Sequence, residues 1–189
     1  MTKYLDEYVP GSKQRNRQVQ SDDEKLKFMN VLSCAALVVV PVGGKTMTGV
    51  HVSVKQGKEA DENLKERELM LRDLRKAAGS GQLDAYIVCA WDFYKDGSLG
   101  KDLKKLARHV YLCDIPKAKL DANVDVMMKM VGERLQASVR EKAEKILDAN
   151  KQIKIKPGYD RKTHEPGKPY WETDKDSKPW MPVPFTRLL

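Results

Sequence analysis

The sequence predicts an α/β (α+β) fold: a mainly antiparallel sheet with helices packed on it, in a single domain. Three stretches carry that prediction. Cys34 to Val42 (Cys-Ala-Ala-Leu-Val-Val-Val-Pro-Val) is a short apolar run rich in β-branched residues, which suits a buried strand. Ala85 to Trp91 (Ala-Tyr-Ile-Val-Cys-Ala-Trp) is a second such run. Between them, Ala60, Leu64, Leu71, Leu74 and Ala78 recur at helical spacing, and Gly79 supplies the stop. A chain of 189 residues is long enough to bury a real core in one domain.

The remaining elements follow in order. Residues 1–22 are polar, with Pro10-Gly11-Ser12 and the cations Lys13, Arg15 and Arg17, and read as a flexible arm. Ser21 with Glu24 resembles a capping box, which predicts a short helix over Asp22 to Met29. Gly43-Gly44 then reads as a two-residue hairpin loop, because glycine takes positive φ without steric cost. Thr46 to Val54 alternates as the partner strand. Asp96-Gly97 marks a turn, Leu99 to Ala107 a short helix, and His109 to Ile115 a further strand closed by Pro116. His109, at the edge of that run, reads as a surface or capping residue. Asn123 to Leu147 is the longest helical pattern, built on Val124, Met127, Met128, Val131, Leu135, Val139, Ile146 and Leu147. Met127, Met128 and Met130 there read as core filling.

From Lys151 the composition changes. Six of the nine prolines lie between Pro157 and Pro184, interleaved with Tyr159, Tyr170, Trp171, Trp180 and Phe185, so regular helix or central strand is excluded. The segment is expected to be either disordered or laid in extended form across the domain, and the aromatics favour at least partial docking. The expected organisation is therefore an arm over 1–22, an α/β domain over 23–150 and a Pro- and aromatic-rich extension over 151–189.

Composition bounds the function. The formal charge is +8, the pI about 9.3 and the mean hydropathy −0.60. No apolar run approaches the length of a membrane span, and the start lacks a signal peptide's apolar centre. The expected place is the cytoplasm, or the outside by a non-classical route. Three widely spaced cysteines, Cys34, Cys89 and Cys113, argue for free thiols rather than a disulfide framework or a zinc site. No metal and no cofactor is expected.

The chemistry concentrates between Asn30 and Lys55. With Gly43 and Gly44 as loop residues, Val42 faces Lys45, Ala36 faces His51 and Cys34 faces Ser53. Opposed residues share a face and side chains repeat every second residue. Cys34 and His51 are then diagonal neighbours on a face with Ala36, Gly49 and Ser53, small and polar at its open end. Ala35, Leu37, Val39, Val50, Val52 and Val54 form the core face. A thiol beside an imidazole is the minimal equipment for nucleophilic attack on an acyl carbon, the histidine activating the thiol or taking its proton.

Leu32-Ser33-Cys34 and Gly49-Val50-His51 resemble the motifs of the CheD-type chemoreceptor glutamine deamidases and, more loosely, of the cytotoxic-necrotizing-factor class of deamidase toxins. Gly57-Lys58-Glu59-Ala60-Asp61 is similar to the CheD-type segment that opens the following helix. The resemblance covers about a third of the chain, roughly Asn30 to Ala90. It implies a cysteine-dependent protein glutamine deamidase, with Cys34 as nucleophile and His51 as base. Backbone N–H groups near Ser33 and Cys34 would form the oxyanion site, and Ser53 is a candidate substrate contact. Related sites orient the histidine with a threonine a few residues before the cysteine. Here that neighbourhood is Lys27-Phe28-Met29-Asn30, which holds no threonine and offers Asn30 or a backbone carbonyl as the third member.

The implied partner is a protein carrying a reactive glutamine, with a possible inhibitory or cognate protein besides. The same machinery serves an esterase, protease or transglutaminase. Two other classes stand beside the enzyme: a non-catalytic interaction module whose aromatic tail is the contact surface, and a basic nucleic-acid-binding protein. The last ranks lowest, because the positive charge is spread along the chain and no nucleic-acid motif accompanies it.

Overall fold

The computed structural model describes residues 3–31, 34–52, 60–94, 99–115, 124–141 and 179–188, leaving aside the side chains of Asn30, residues 60–64 and Phe93. In chain order the elements are β1 (Lys3–Leu5), β2 (Gln20–Asp22), β3 (Lys25–Val31), β4 (Ala35–Pro41), β5 (Met47–Val52), α1 (Ala60–Ala78), β6 (Leu83–Cys89), α2 (Leu99–Leu106), β7 (His109–Asp114), β8 (Val124–Val131), β9 (Arg134–Glu141), β10 (Met181–Val183) and β11 (Thr186–Arg187). They form two sheets, one ordered β1-β3-β8-β9-β10 and one ordered β11-β7-β6-β4-β5-β2. Most neighbours are antiparallel, with β1–β3 and β6–β7 parallel. The fold is α+β, as the sequence predicts.

Three layers stack. One face of the six-stranded sheet, through Ala35, Leu37, Val39, Val50 and Ile87, packs on Met70 and Leu74 of α1 and Leu99 and Leu103 of α2. Its other face, through Ala36, Val38, Val40 and Val88, packs on Leu26, Phe28, Val126, Met128 and Ala137 of the five-stranded sheet. A strand covered on both sides has no polar face, which is why Ala35 to Val40 contains no polar residue and is buried throughout. Each large side chain removed from water here contributes about 1.5–3 kcal/mol.

The Cys34–His51 hairpin has the expected register: Ala35 pairs with Val52, Ala36 with His51, Leu37 with Val50 and Val39 with Thr48. The turn differs in detail. Gly44 N–H donates to the Pro41 carbonyl at 2.8 Å, so the tight turn is Pro41–Gly44, with Gly43 at its third position (φ 75°). The face assigned as open is also corrected. The five-stranded sheet covers it, and Gly49 is the residue that lets it approach: a Cβ there would lie 2.7 Å from Leu26 Cδ1 and 3.1 Å from Phe28 Cζ.

Three further expectations are overturned. Lys25–Val31 is a strand, not part of a helix begun at Asp22: Leu26 and Phe28 alternate inward with period two. Asp22 Oδ1 accepts from the backbone N–H of Glu24 and Lys25, capping a turn, while Ser21 Oγ pairs with Thr48 Oγ1 at 2.9 Å. The long helix expected from Asn123 is instead the β8–β9 hairpin. Val124, Val126 and Met128, and then Leu135, Ala137 and Val139, point into the core, and Gly132 with φ 62° begins the turn.

The arm expected over 1–22 is, from Lys3 on, part of the fold. Leu5 is fully buried, β1 pairs with β3, β2 pairs with β5, and the Tyr8 hydroxyl donates to Asp73 Oδ2 at 2.8 Å. At the other end, Trp180 and Phe185 anchor the last described segment. Most of the expected extension, residues 151–178, lies outside the described residues, as do Asn123 and residues 142–147. Among the described residues no helix is long and apolar enough to cross a membrane.

Candidate functional site

Cys34 stands at a bend immediately before β4 and is half-buried. The other two thiols are in strand interiors, Cys89 fully buried and Cys113 3% exposed. Burial, then Asp114 and Cys113, raises the Cys89 thiol far above its ordinary range. Burial, then Asp114, pushes Cys113 up to about 11. Both are held as inert neutral thiols, so Cys34 is the cysteine with a path to a reagent.

His51 lies opposite Ala36 on the adjacent strand, and Cys34 stands just before Ala35, the first residue of β4, where a continuation of that register would make the two diagonal neighbours. Diagonal partners in an antiparallel pair are about 7–8 Å apart at Cα, within reach of long side chains. The ring is only 3% exposed and meets the Phe28 ring edge-on, with centroids 6.4 Å apart. Neither imidazole nitrogen has a hydrogen-bond partner by geometry. Burial lowers the His51 pKa to about 4, and the nearby Glu7 charge and a backbone contact with Leu5 pull it partly back. At neutral pH the imidazole is neutral, the form that can accept a proton.

The N-terminal segment and the loop after β6 complete the neighbourhood. Glu7 pairs with His51 in a parallel bridge, and Tyr8 N–H donates to the His51 carbonyl at 2.9 Å. Partners across a bridge project to the same side, so an exposed carboxylate stands beside the buried ring. Tyr94, 6% exposed, comes from the turn following β6. Burial first, then the adjacent Cys89, Cys34 and Glu7, holds its hydroxyl protonated far above the ordinary phenol range, while Arg67 pulls the other way. Arg67 reaches in from α1, with Nε 3.4 Å from Asp102 Oδ2 on α2.

Sequence reasoning named Cys34 and His51 and missed their neighbours: Glu7 beside His51, and Tyr94, which is close enough to Cys34 to feel its charge. Glu7 lay in a segment read as an arm, and Tyr94 in a loop with no periodic signal. Asn30 sits in β3, on the other sheet, at the irregularity between Phe28 and Val31. Its side chain, Ser33 and Ser53 are outside what is described. Among the described residues no group of three or more His, Cys, Asp and Glu could hold a metal ion. The chain matches no family model and no curated protein.

Proposed function

We propose that the chain is a thiol amidohydrolase acting on the side-chain amide of glutamine in a partner protein. The observation that supports this best is the pairing of Ala36 with His51, a buried, neutral imidazole on the strand next to the half-buried Cys34 at the head of β4. The choice of glutamine rests on the resemblance of Leu32-Ser33-Cys34 and Gly49-Val50-His51 to glutamine deamidases.

In this reading Cys34 Sγ attacks the amide carbon while His51 takes the thiol proton. The imidazolium then protonates the departing nitrogen, and ammonia leaves a thioester. Water, deprotonated by the same imidazole, hydrolyses the thioester to glutamate and restores the thiol. Burial makes the imidazolium costly, and the Glu7 charge offsets part of that cost. The backbone N–H of Cys34 is the proposed donor to the developing oxyanion, a role worth about 3–4 kcal/mol in comparable sites.

Native alkylation with iodoacetamide and peptide mapping tests the nucleophile: Cys34 labels first, and Cys89 and Cys113 only on unfolding. Ammonia release from a glutamine-rich protein such as casein tests the reaction. Cys34→Ala abolishes it at a stability cost of about 1 kcal/mol. Equal ammonia release by wild type and Cys34→Ala would sink the enzyme reading. The interaction-module reading has one observation in its favour: the His51 ring is closed in by Phe28, as a packing residue would be.

A further inference from the structure

A second place gathers charge at the far end of the six-stranded sheet. The β4–β6 ladder runs from Ala36–Val88 to Pro41–Leu83, so Leu83 is roughly 20 Å from Cys34 at about 3.3 Å per residue. Beyond Leu83 the ends of α1 and α2 border an open hollow of about 340 Å³. Arg75, Lys105 and Arg108 line it together with Ser80, Gly81 and Gln82. The lining contains three cations and no acidic residue.

Lysines and arginines at helix C-termini ordinarily offset the helix dipole. That accounts for Arg75 and Lys105 singly, but not for Arg108, which lies beyond α2, nor for all three meeting in one concavity. Exposed Lys76 and Lys104 flank the hollow in sequence. The nearest counter-charges are partial. Lys105 is 3.8 Å from Asp102 and 81% exposed, and Arg108 is 3.3 Å from Asp84 and 43% exposed. Arg75 donates to the Ser80 carbonyl at 3.0 Å, which ties the Gly79–Gly81 loop to the rim.

We infer that this hollow is an anion site for a phosphate group. An acidic protein surface presents single charges spaced by side chains, whereas these cations, from α1, α2 and the turn after α2, border one depression, which suits a compact, multiply charged oxyanion. The phosphate can belong to a small molecule or to a nucleic-acid backbone, and the two are separable by experiment. The site stands apart from Cys34, so its test does not depend on the proposed reaction.

The probes are inorganic pyrophosphate, followed by calorimetry, and a fluorescein-labelled 12-residue oligothymidylate, followed by anisotropy, both with the full chain. Pyrophosphate binds at one site and displaces the oligonucleotide. Lys105→Glu and Arg108→Gln each weaken both probes about tenfold, as expected for loss of one charge-assisted contact. Arg108→Lys retains binding, which separates charge from folding. Lys65→Glu, an equal charge change on the exposed opposite end of α1, leaves binding within about twofold. Much tighter binding of the oligonucleotide assigns the phosphate to a strand, and equal binding assigns it to a small ligand. The inference is overturned if pyrophosphate fails to bind or to displace the oligonucleotide. It is also overturned if polyglutamate binds as tightly, or if Lys65→Glu weakens the probes as much as Lys105→Glu.

Discussion

At the scale of single residues, His51 is one of three buried polar residues among those described, with Thr48 and Asp125. A buried imidazole with no side-chain hydrogen-bond partner is costly to retain, and its position at the end of an otherwise apolar face calls for a reason. Its burial also makes a measurable pH signature. The folded-state pKa is about 4 against 6.5 for the free side chain. Between those values the unfolded chain binds a proton that the folded chain does not, so stability rises with pH across that window. The contribution is complete above about pH 6.5 and is lost as pH falls toward 4, on the order of 3 kcal/mol in all. Urea midpoints of wild type at pH 7 and pH 4.5 should differ by more than those of His51→Gln. Identical pH profiles would mean that the ring is solvated in the folded state.

At the scale of elements, β8 and β9 separate two readings of one stretch. Read as a helix, Val124, Met127, Met128, Val131 and Leu135 make a stripe. Read as two strands, Val124, Val126, Met128 and then Leu135, Ala137, Val139 make one inward face each side of Gly132. Gly132→Ala distinguishes them by sign. In a helix interior it stabilises by up to about 1 kcal/mol. At φ 62° it destabilises by about 1–2 kcal/mol, because an L side chain is strained there. Thermal melts of the variant therefore report the element directly, and a raised melting temperature would contradict the hairpin. The same competition of periods explains what the sequence made legible. Ala60–Ala78 has the expected helix bounds because its stripe and its C-terminal glycine agree, Gly79 taking φ 92° with its N–H on the Arg75 carbonyl at 3.1 Å. The β4–β5 register was legible because the count across Pro41–Lys45 is fixed by two glycines. The five-stranded sheet was not, since Lys25–Val31 and β8–β9 mix charged and apolar residues in ways that also fit a helix. Missing that sheet made the His51 face look open, and with it went any view of Phe28 and Glu7 as neighbours of the site.

At the scale of the molecule, both described ends are used to close sheet edges. The N-terminal end supplies β1 to one sheet and β2 to the other, and the C-terminal end supplies β10 and β11 in the same way. The C-terminal segment is held chiefly by three things. Met181–Val183 pairs with Ala137–Val139, Thr186–Arg187 pairs with Tyr111–Leu112, and Trp180 lies over Arg140 at 4.9 Å and Lys27 at 5.7 Å. Arg140 in turn holds the fully buried Asp125 at 3.0 Å, so Trp180 covers an ion pair whose acid has no access to water. Phe185 packs edge-on against Tyr86, 5.2 Å between centroids, where the chain passes from one sheet to the other. Removing residues 179–189 strips these contacts and leaves β9 and β7 as bare edges, each a row of unpaired N–H and C=O groups that recruits another strand. The truncated chain should unfold at lower urea concentration and elute from a sizing column as concentration-dependent oligomers. A monomer with an unchanged urea midpoint would show that β10 and β11 lie on the sheets without sealing them.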